Sequence, residues 1–227
     1  MYIIRSKEEN KANAIYYLYL LAIIAIGWIG FFFIKLRDSF AAGGGKVNKL
    51  VINYVQSIRN DTLSTIMVFI SKSGDTIVAI IFTILIIIYF YMRNKEREAK
   101  FYAVNILAIA IISQSVKYLS RRPRPTGDWL VDIGGYSFPS GHSIISMAGA
   151  LILIYFILSF LNNRILAHII SIFIFIYAAL IGLSRVYVGV HYISDVVGGW
   201  AIASLWVFIT LLIFRRRSVD NITKYIR

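Results

Sequence analysis

Six long stretches nearly free of charge limit what this chain can become. Positions 12–34, 76–92, 101–116, 140–161, 165–183 and 195–214 contain no Asp, Glu, Lys or Arg except Asp195 at the edge of the last run. A helix rises about 1.5 Å per residue and a bilayer core is about 30 Å thick, so runs near 20 residues are read as membrane spans. The expected fold is all-α: a polytopic membrane protein with six transmembrane helices. The composition agrees, since 59% of the residues are hydrophobic and 15% charged, against about 45–50% and about 25% in ordinary soluble domains. Six spans leave no room for a separate soluble domain, so 1–227 is expected to be a single membrane-embedded domain. The run at 12–34 is too long for a signal-peptide core of about 7–15 residues and is read as an uncleaved span.

Between the first two spans the pattern changes. Gly43, Gly44 and Gly45 break the chain, and then Val47, Leu50, Val51, Tyr54, Val55 and Ile58 recur at helical spacing among Asn48, Lys49, Asn53, Gln56 and Arg59. That is the pattern of an amphipathic helix lying in the membrane interface. A second apolar piece, 63–70, is too short to cross and should lead through Gly74 into the next span. The charged run 93–100 reads as a solvated loop. Pro123, Pro125 and Pro139 are the three prolines of the protein, so 121–139 should be non-helical.

The formal net charge of +13, from 24 Lys and Arg against 11 Asp and Glu, would in a soluble protein suggest nucleic acid. Here basic residues at helix ends serve as topology anchors and lipid-headgroup contacts instead, and no nucleic-acid motif accompanies them. Setting aside Lys117, Arg124 and Arg185, the remaining basic residues favour both termini on the cytoplasmic side of the cell membrane. With no cysteine in the chain, thiolate catalysis and Cys-ligated zinc are excluded.

Expensive residues converge at four span ends. Lys117 and Arg124 follow the third span, Ser140, Gly141 and His142 open the fourth, Ser184 and Arg185 close the fifth, and His191 and Asp195 open the sixth. With six spans these ends share one side of the bilayer, whichever way the protein is inserted. Ionisable groups at membrane depth usually mark a site. A lysine and two arginines suit phosphate oxygens, and a helix start at Ser140-Gly141-His142 offers free N–H groups to an anion. His191 and Asp195, four apart, would share a helix face, so that Asp195 accepts from one imidazole nitrogen and leaves the other as a nucleophile. His142 is then free to be the acid. A metal held by His142, His191 and Asp195 is disfavoured because the surrounding cations would repel it.

Other positions have plainer readings. Arg121 and Arg122 are topology anchors, Arg122 with an alternative contact to a distal headgroup. His168 is an interfacial histidine far from the site. Gly198 and Gly199 allow close helix packing, and Tyr16, Tyr17, Tyr19, Trp129 and Tyr136 belong to interfacial aromatic belts, Trp129 and Tyr136 with an alternative contact to the headgroup.

Lys117-x6-Arg124-Pro125, then Pro139-Ser140-Gly141-His142, then Ser184-Arg185-x5-His191-x3-Asp195 resembles the three-part signature of the type 2 phosphatidic acid phosphatase superfamily. The motif core covers 117–195 and departs from the pattern nowhere. The resemblance implies a metal-independent lipid phosphate phosphatase that needs no cofactor. His191 would attack phosphorus to give a phosphohistidine, Asp195 would orient it, and His142 would protonate the leaving alkoxide and then activate water. Lys117, Arg124, Ser140, Gly141 and Arg185 would hold the phosphoryl oxygens. Phosphatidylglycerol phosphate, phosphatidate and polyprenyl diphosphate are the candidate substrates, with an extracytoplasmic site, a lipid tail entering sideways between helices and no obligate protein partner. A phosphotransferase using the same intermediate and an anionic-lipid transporter are the alternatives.

Overall fold

The computed structural model of the protein describes residues 45–226 together with Leu20, Ile23, Ile24, Ile26 and Gly27, with side chains described as far as Arg215. The expected span at 12–34, the leader before it and Tyr16, Tyr17 and Tyr19 therefore lie outside the described residues or nearly so. Among the described residues there are seven substantial helices and no strand: α1 Gly45–Ser57, α2 Asp61–Ser73, α3 Thr76–Met92, α4 Glu96–Ser120, α5 Gly141–Phe160, α6 Arg164–Tyr187 and α7 Ile193–Ile226. α4, α5, α6 and the 193–215 part of α7 are each long and apolar enough to cross a membrane. α2 and α3 reach that length only as a pair, bent by 53° at the break between them.

Helix starts follow local chemistry. Asn60 accepts from the Leu63 N–H at 2.9 Å at the head of α2, and Asn163 from the Leu166 N–H at 3.1 Å at the head of α6. These side-chain caps satisfy donors that a helix cannot satisfy itself. α3 and α5 are both apolar around their whole circumference, yet they end up in opposite environments. Ile144, Leu151 and Ile152 of α5 are completely enclosed by α4, α6 and α7, whereas Ile77, Ile80, Phe82 and Leu85 of α3 are exposed. A helix apolar on all sides belongs in a protein core or against lipid, and this fold uses one of each. Gly199 of α7 lets that helix close on α5, because a Cβ there would lie 3.3 Å from the Ser140 carbonyl oxygen and 3.3 Å from Ser143 Cβ.

Four local expectations change. Most of the charged run at 93–100 is helical: α4 begins at Glu96, where two acidic residues in the first turn complement the helix dipole. Arg97 donates to the Phe214 carbonyl at 2.6 Å and lies over its ring, which ties this turn to α7. Asn48 is buried rather than on a polar outer face, because it donates to Ser194 Oγ at 3.0 Å and accepts from the Ser194 N–H at 3.2 Å. Of the predicted apolar stripe of α1, Val51 and Val55 pack on the core while Leu50 and Tyr54 remain exposed. Finally, α7 starts at Ile193, so His191 precedes the helix and meets Asp195 across a turn rather than along a helix face.

Candidate active site

The proline-rich connection from α4 to α5 is irregular, as its composition requires, and hydrogen bonds over long sequence distances hold it in place. Ser137 N–H donates to the Arg122 carbonyl at 2.8 Å, Ser120 Oγ to the Phe138 carbonyl at 2.9 Å, and Leu130 N–H to the Val188 carbonyl at 3.0 Å. Arg59, between α1 and α2, reaches across to the Asp128 carbonyl at 3.0 Å and the Tyr187 carbonyl at 2.7 Å. The loop is thus fastened to α1, α2 and the end of α6.

Under this loop lie His191, 1% exposed, and Asp195, wholly buried. Asp195 Oδ2 accepts from Ser137 Oγ at 2.5 Å and from the Tyr192 N–H at 2.9 Å, and lies 3.4 Å from His191 Nδ1. Its other oxygen accepts from Arg122 at 2.7 Å. Arg122 is itself 6% exposed, lies over the Tyr192 ring and donates to Ser194 Oγ at 2.8 Å. Arg122 is therefore neither a surface anchor nor a headgroup contact. It is the buried countercharge of Asp195, as an ionised carboxylate without water requires.

On the far side of the imidazole, Arg124 Nη1 lies 3.2 Å from His191 Nε2. A guanidinium can only donate, so Nε2 carries the lone pair and Nδ1 the hydrogen that faces Asp195. Burial holds the His191 imidazole down to about 3, with Arg124 and Lys117 pushing the same way and Asp195 opposing. Three further donors of Arg124 go to the carbonyls of Val190, Gly134 and Gly135 at 2.8, 2.8 and 3.1 Å. Lys117 Nζ donates to the Tyr136 carbonyl at 2.8 Å.

Lys117, Arg124, Gly141, His142 and His191 all line one end of a cavity of about 780 Å³. The rest of its wall is mainly apolar and comes from α3 and α4. Its lining residues Ile80 and Ile84 on α3 and Leu107 and Ile111 on α4 are all exposed, so the cavity opens sideways between these two helices. Ser140, Arg185 and Asp195 are buried and do not contribute to that lining. Ser140 Oγ instead accepts from the Ser143 N–H at the head of α5, at 3.4 Å. Arg185 donates to Ser71 Oγ on α2, and its Nε is buried without a partner.

His142, in the first turn of α5, points its Nε2 at Asp75 Oδ1, 2.9 Å away. The sequence alone assigns no site role to Asp75, Ser137 or Ser71. For Asp75 a signal existed: it is a carboxylate at the edge of the span 76–92, and with six spans that edge falls on the side of the site. Ser137 gave none, since a serine in an irregular loop reads as turn chemistry. Among the remaining readings, His168 is exposed and bonds the Arg164 carbonyl through Nδ1 at 2.7 Å, at the opposite end of α6 from Arg185. Trp129 Nε1 donates to the Pro125 carbonyl at 2.9 Å, and the Tyr136 ring packs edge-on against Tyr118.

Residues 98–218 match the PAP2 superfamily. The undecaprenyl-diphosphatase of Sulfolobus acidocaldarius is 33% identical over 184 residues, which cover 78% of this chain and 82% of that protein. Phosphatidylglycerophosphatase B of Bacillus subtilis is 34% identical over 102 residues, covering 44% of this chain and 49% of that protein. Among solved structures, a transmembrane PAP2-type phosphatidylglycerolphosphate phosphatase from Bacillus subtilis superposes with a TM-score of 0.73 at 22% identity, covering 88% of this chain and 97% of that one. Aquifex aeolicus LpxE gives a TM-score of 0.61 at 23% identity over 74% of this chain and 96% of that one.

Proposed function

The chain belongs to the PAP2 superfamily, and on that premise we propose that it is a membrane-embedded phosphatase that removes a terminal phosphate from a lipid phosphate through a phosphohistidine intermediate. The observation that carries this reading is the cavity whose one end is lined by Lys117, Arg124, Gly141, His142 and His191 and whose other walls are apolar and open sideways. Its polar end suits a phosphate group and its flank suits a hydrocarbon tail arriving within the bilayer.

In the proposed reaction His191 Nε2 donates its lone pair to phosphorus as the bond from phosphorus to the leaving oxygen breaks. Asp195 accepts the Nδ1 hydrogen bond and stabilises the positive charge that grows on the ring. His142 gives a proton to the departing alkoxide. It then takes one from water as that water attacks phosphorus, which breaks the P–N bond and releases inorganic phosphate. Lys117, Arg124 and the Gly141 backbone hold the phosphoryl oxygens from within the cavity. Ser140 acts by fixing the head of α5, and Arg185 brings its unpartnered Nε from behind. The steps need neither metal nor cofactor.

The candidate substrates are phosphatidylglycerol phosphate, phosphatidate and polyprenyl diphosphate. Transfer of the phosphoryl group to a second lipid would use the same intermediate. The whole chain, 1–227, forms one membrane domain in this proposal, with six spans completed by 12–34 and by the α2–α3 pair, and with α1 at the interface. Both termini lie in the cytoplasm and the site faces outward.

Release of inorganic phosphate from a panel of lipid phosphates by the detergent-solubilised protein tests the hydrolase reading, and none released from any of them would end it. Activity lost in EDTA and restored by a divalent ion would end its metal-free form. Because the native chain has no cysteine, single cysteines at Gly135 and Asn94 test orientation. Only the former should react with an impermeant thiol reagent on intact cells, and the reverse pattern would invert the topology.

A further inference from the structure

Asp75 stands where a helix cap belongs and does not cap. It occupies the position just ahead of α3 with an extended backbone, φ −63° and ψ 153°, yet its carboxylate accepts no hydrogen bond from the α3 backbone. The corresponding residues of α2, α5 and α6, namely Asn60, Ser140 and Asn163, all do so. An aspartate at that position ordinarily bonds a free N–H of the first turn. Here its Oδ1 is turned instead to His142 Nε2, 2.9 Å away on a helix 67 residues along the chain.

The elbow between α2 and α3 is built to hold that contact. Arg185 donates to Ser71 and Tyr177 donates to Ser73 Oγ at 2.7 Å, so the two serines preceding the elbow are tied to α6. Gly74 lies so close to the site that a Cβ there would be 2.5 Å from Ile181 Cγ2 and 3.0 Å from the His142 ring. Only a residue without a side chain lets the elbow approach this near. The charged groups facing His142 are Asp75 from the elbow, Lys117 from α4 and Arg185 from α6, one carboxylate against two cations.

We propose that Asp75 is the positioning residue for His142, a second Asp–His pair serving the acid as Asp195–His191 serves the nucleophile. The inference rests on the reading of His142 as the proton donor and acceptor. Asp75 accepts the Nε2 hydrogen, which fixes the ring's tautomer and orientation. Nδ1 is then the nitrogen that exchanges protons. Its N–H bond breaks as an O–H bond forms on the departing alkoxide, and a proton from water returns to it while the water oxygen bonds phosphorus and the P–N bond to His191 breaks.

The test compares purified full-length wild type, Asp75→Asn and His142→Ala on a lipid alkyl phosphate and on p-nitrophenyl phosphate, whose leaving group departs without a proton. A positioned general acid supplies about 10²- to 10⁴-fold, and its orienting partner some of that. Asp75→Asn should therefore lose about 10- to 100-fold in kcat on the lipid with KM within about twofold. Its pre-steady-state burst of p-nitrophenolate should keep the wild-type rate. Wild-type turnover of the lipid by Asp75→Asn would overturn the proposal, and so would loss of the burst along with lipid turnover, since that marks a structural prop. If His142→Ala is slow while Asp75→Asn is not, this proposal alone falls. If His142→Ala turns over lipid like wild type, the underlying reading falls and takes the proposal with it.

Discussion

Two histidines face one cavity, and each is paired with an aspartate under opposite conditions. His191 and Asp195 are buried, and the Asp195 carboxylate is engaged by Arg122, Ser137, the Tyr192 N–H and the imidazole. His142 is 13% exposed and Asp75 51%, and that pair joins the bend between α2 and α3 to the head of α5. The contrast matches the two chemical duties proposed for these histidines. A nucleophile has to present one lone pair in one direction, which a crowded and fully bonded nest secures. A group that gives up and regains a proton within each turnover needs contact with water and a partner that tolerates both its states.

Removing either histidine's function should therefore cost differently, and the comparison can be broken from the sealed side first. His191→Ala should lower phosphate release by about 10⁴-fold or more, on the scale of other nucleophile deletions, and should trap no acid-labile phosphoenzyme from labelled substrate. Residual labelling would move the nucleophile elsewhere. Next comes Arg122→Met, which strands a buried carboxylate. It should lower stability by about 3 kcal/mol, near the low end for breaking a buried ion pair, read as the unfolding midpoint in detergent. The same change at exposed Arg121 should leave that midpoint in place. The Asp75→Asn effect belongs between these, visible in kcat and nearly absent from stability.

A smaller effect separates the two pairs by pH. His191 has its pKa held down to about 3 by burial, against about 6.5 in an unfolded chain. The unfolded state therefore binds more protons between these values. The stability tied to a neutral His191 is complete above pH 6.5 and is lost as pH falls toward 3. His191→Gln should flatten the acid side of the stability curve. An unchanged curve would show that the imidazole is not kept neutral by the fold. Smallest of all, His168→Ala should stay within about 0.5 kcal/mol of wild type with activity intact, as an exposed site away from both pairs.

Much of this organisation was legible in the residues alone, for reasons that also explain what was hidden. The apolar runs mark where helices lie, and the proline cluster marks where they do not, because both signals are local. Lys117, Arg124, Gly141, His142 and His191 could be gathered on one cavity from span parity. Burial could not be read: α3 and α5 carry the same kind of sequence, and only their neighbours decide that one is enclosed and the other exposed. The roles of Arg122, Ser137 and Asp75 depend on partners 73, 58 and 67 residues away, and no periodicity reports such distances. Asn48 was misread for the same reason, since its partner Ser194 lies 146 positions along the chain. The start of α4 was missed because a dense charge run resembles a loop until its acidic first turn and the Arg97 contact to Phe214 are considered together.

The sideways mouth between α3 and α4 has a kinetic meaning. With the loop above the site fastened to α1, α2 and α6, the proposed lipid substrate would arrive within the plane of the bilayer, so encounter would be a two-dimensional search. The governing concentration is then the mole fraction of phosphorylated lipid among its neighbours, and diluting the protein and its detergent together in buffer should leave the rate per molecule unchanged. Adding inert lipid should lower it. The dephosphorylated lipid departs through the same mouth it entered, so product inhibition should also scale with surface density rather than with volume.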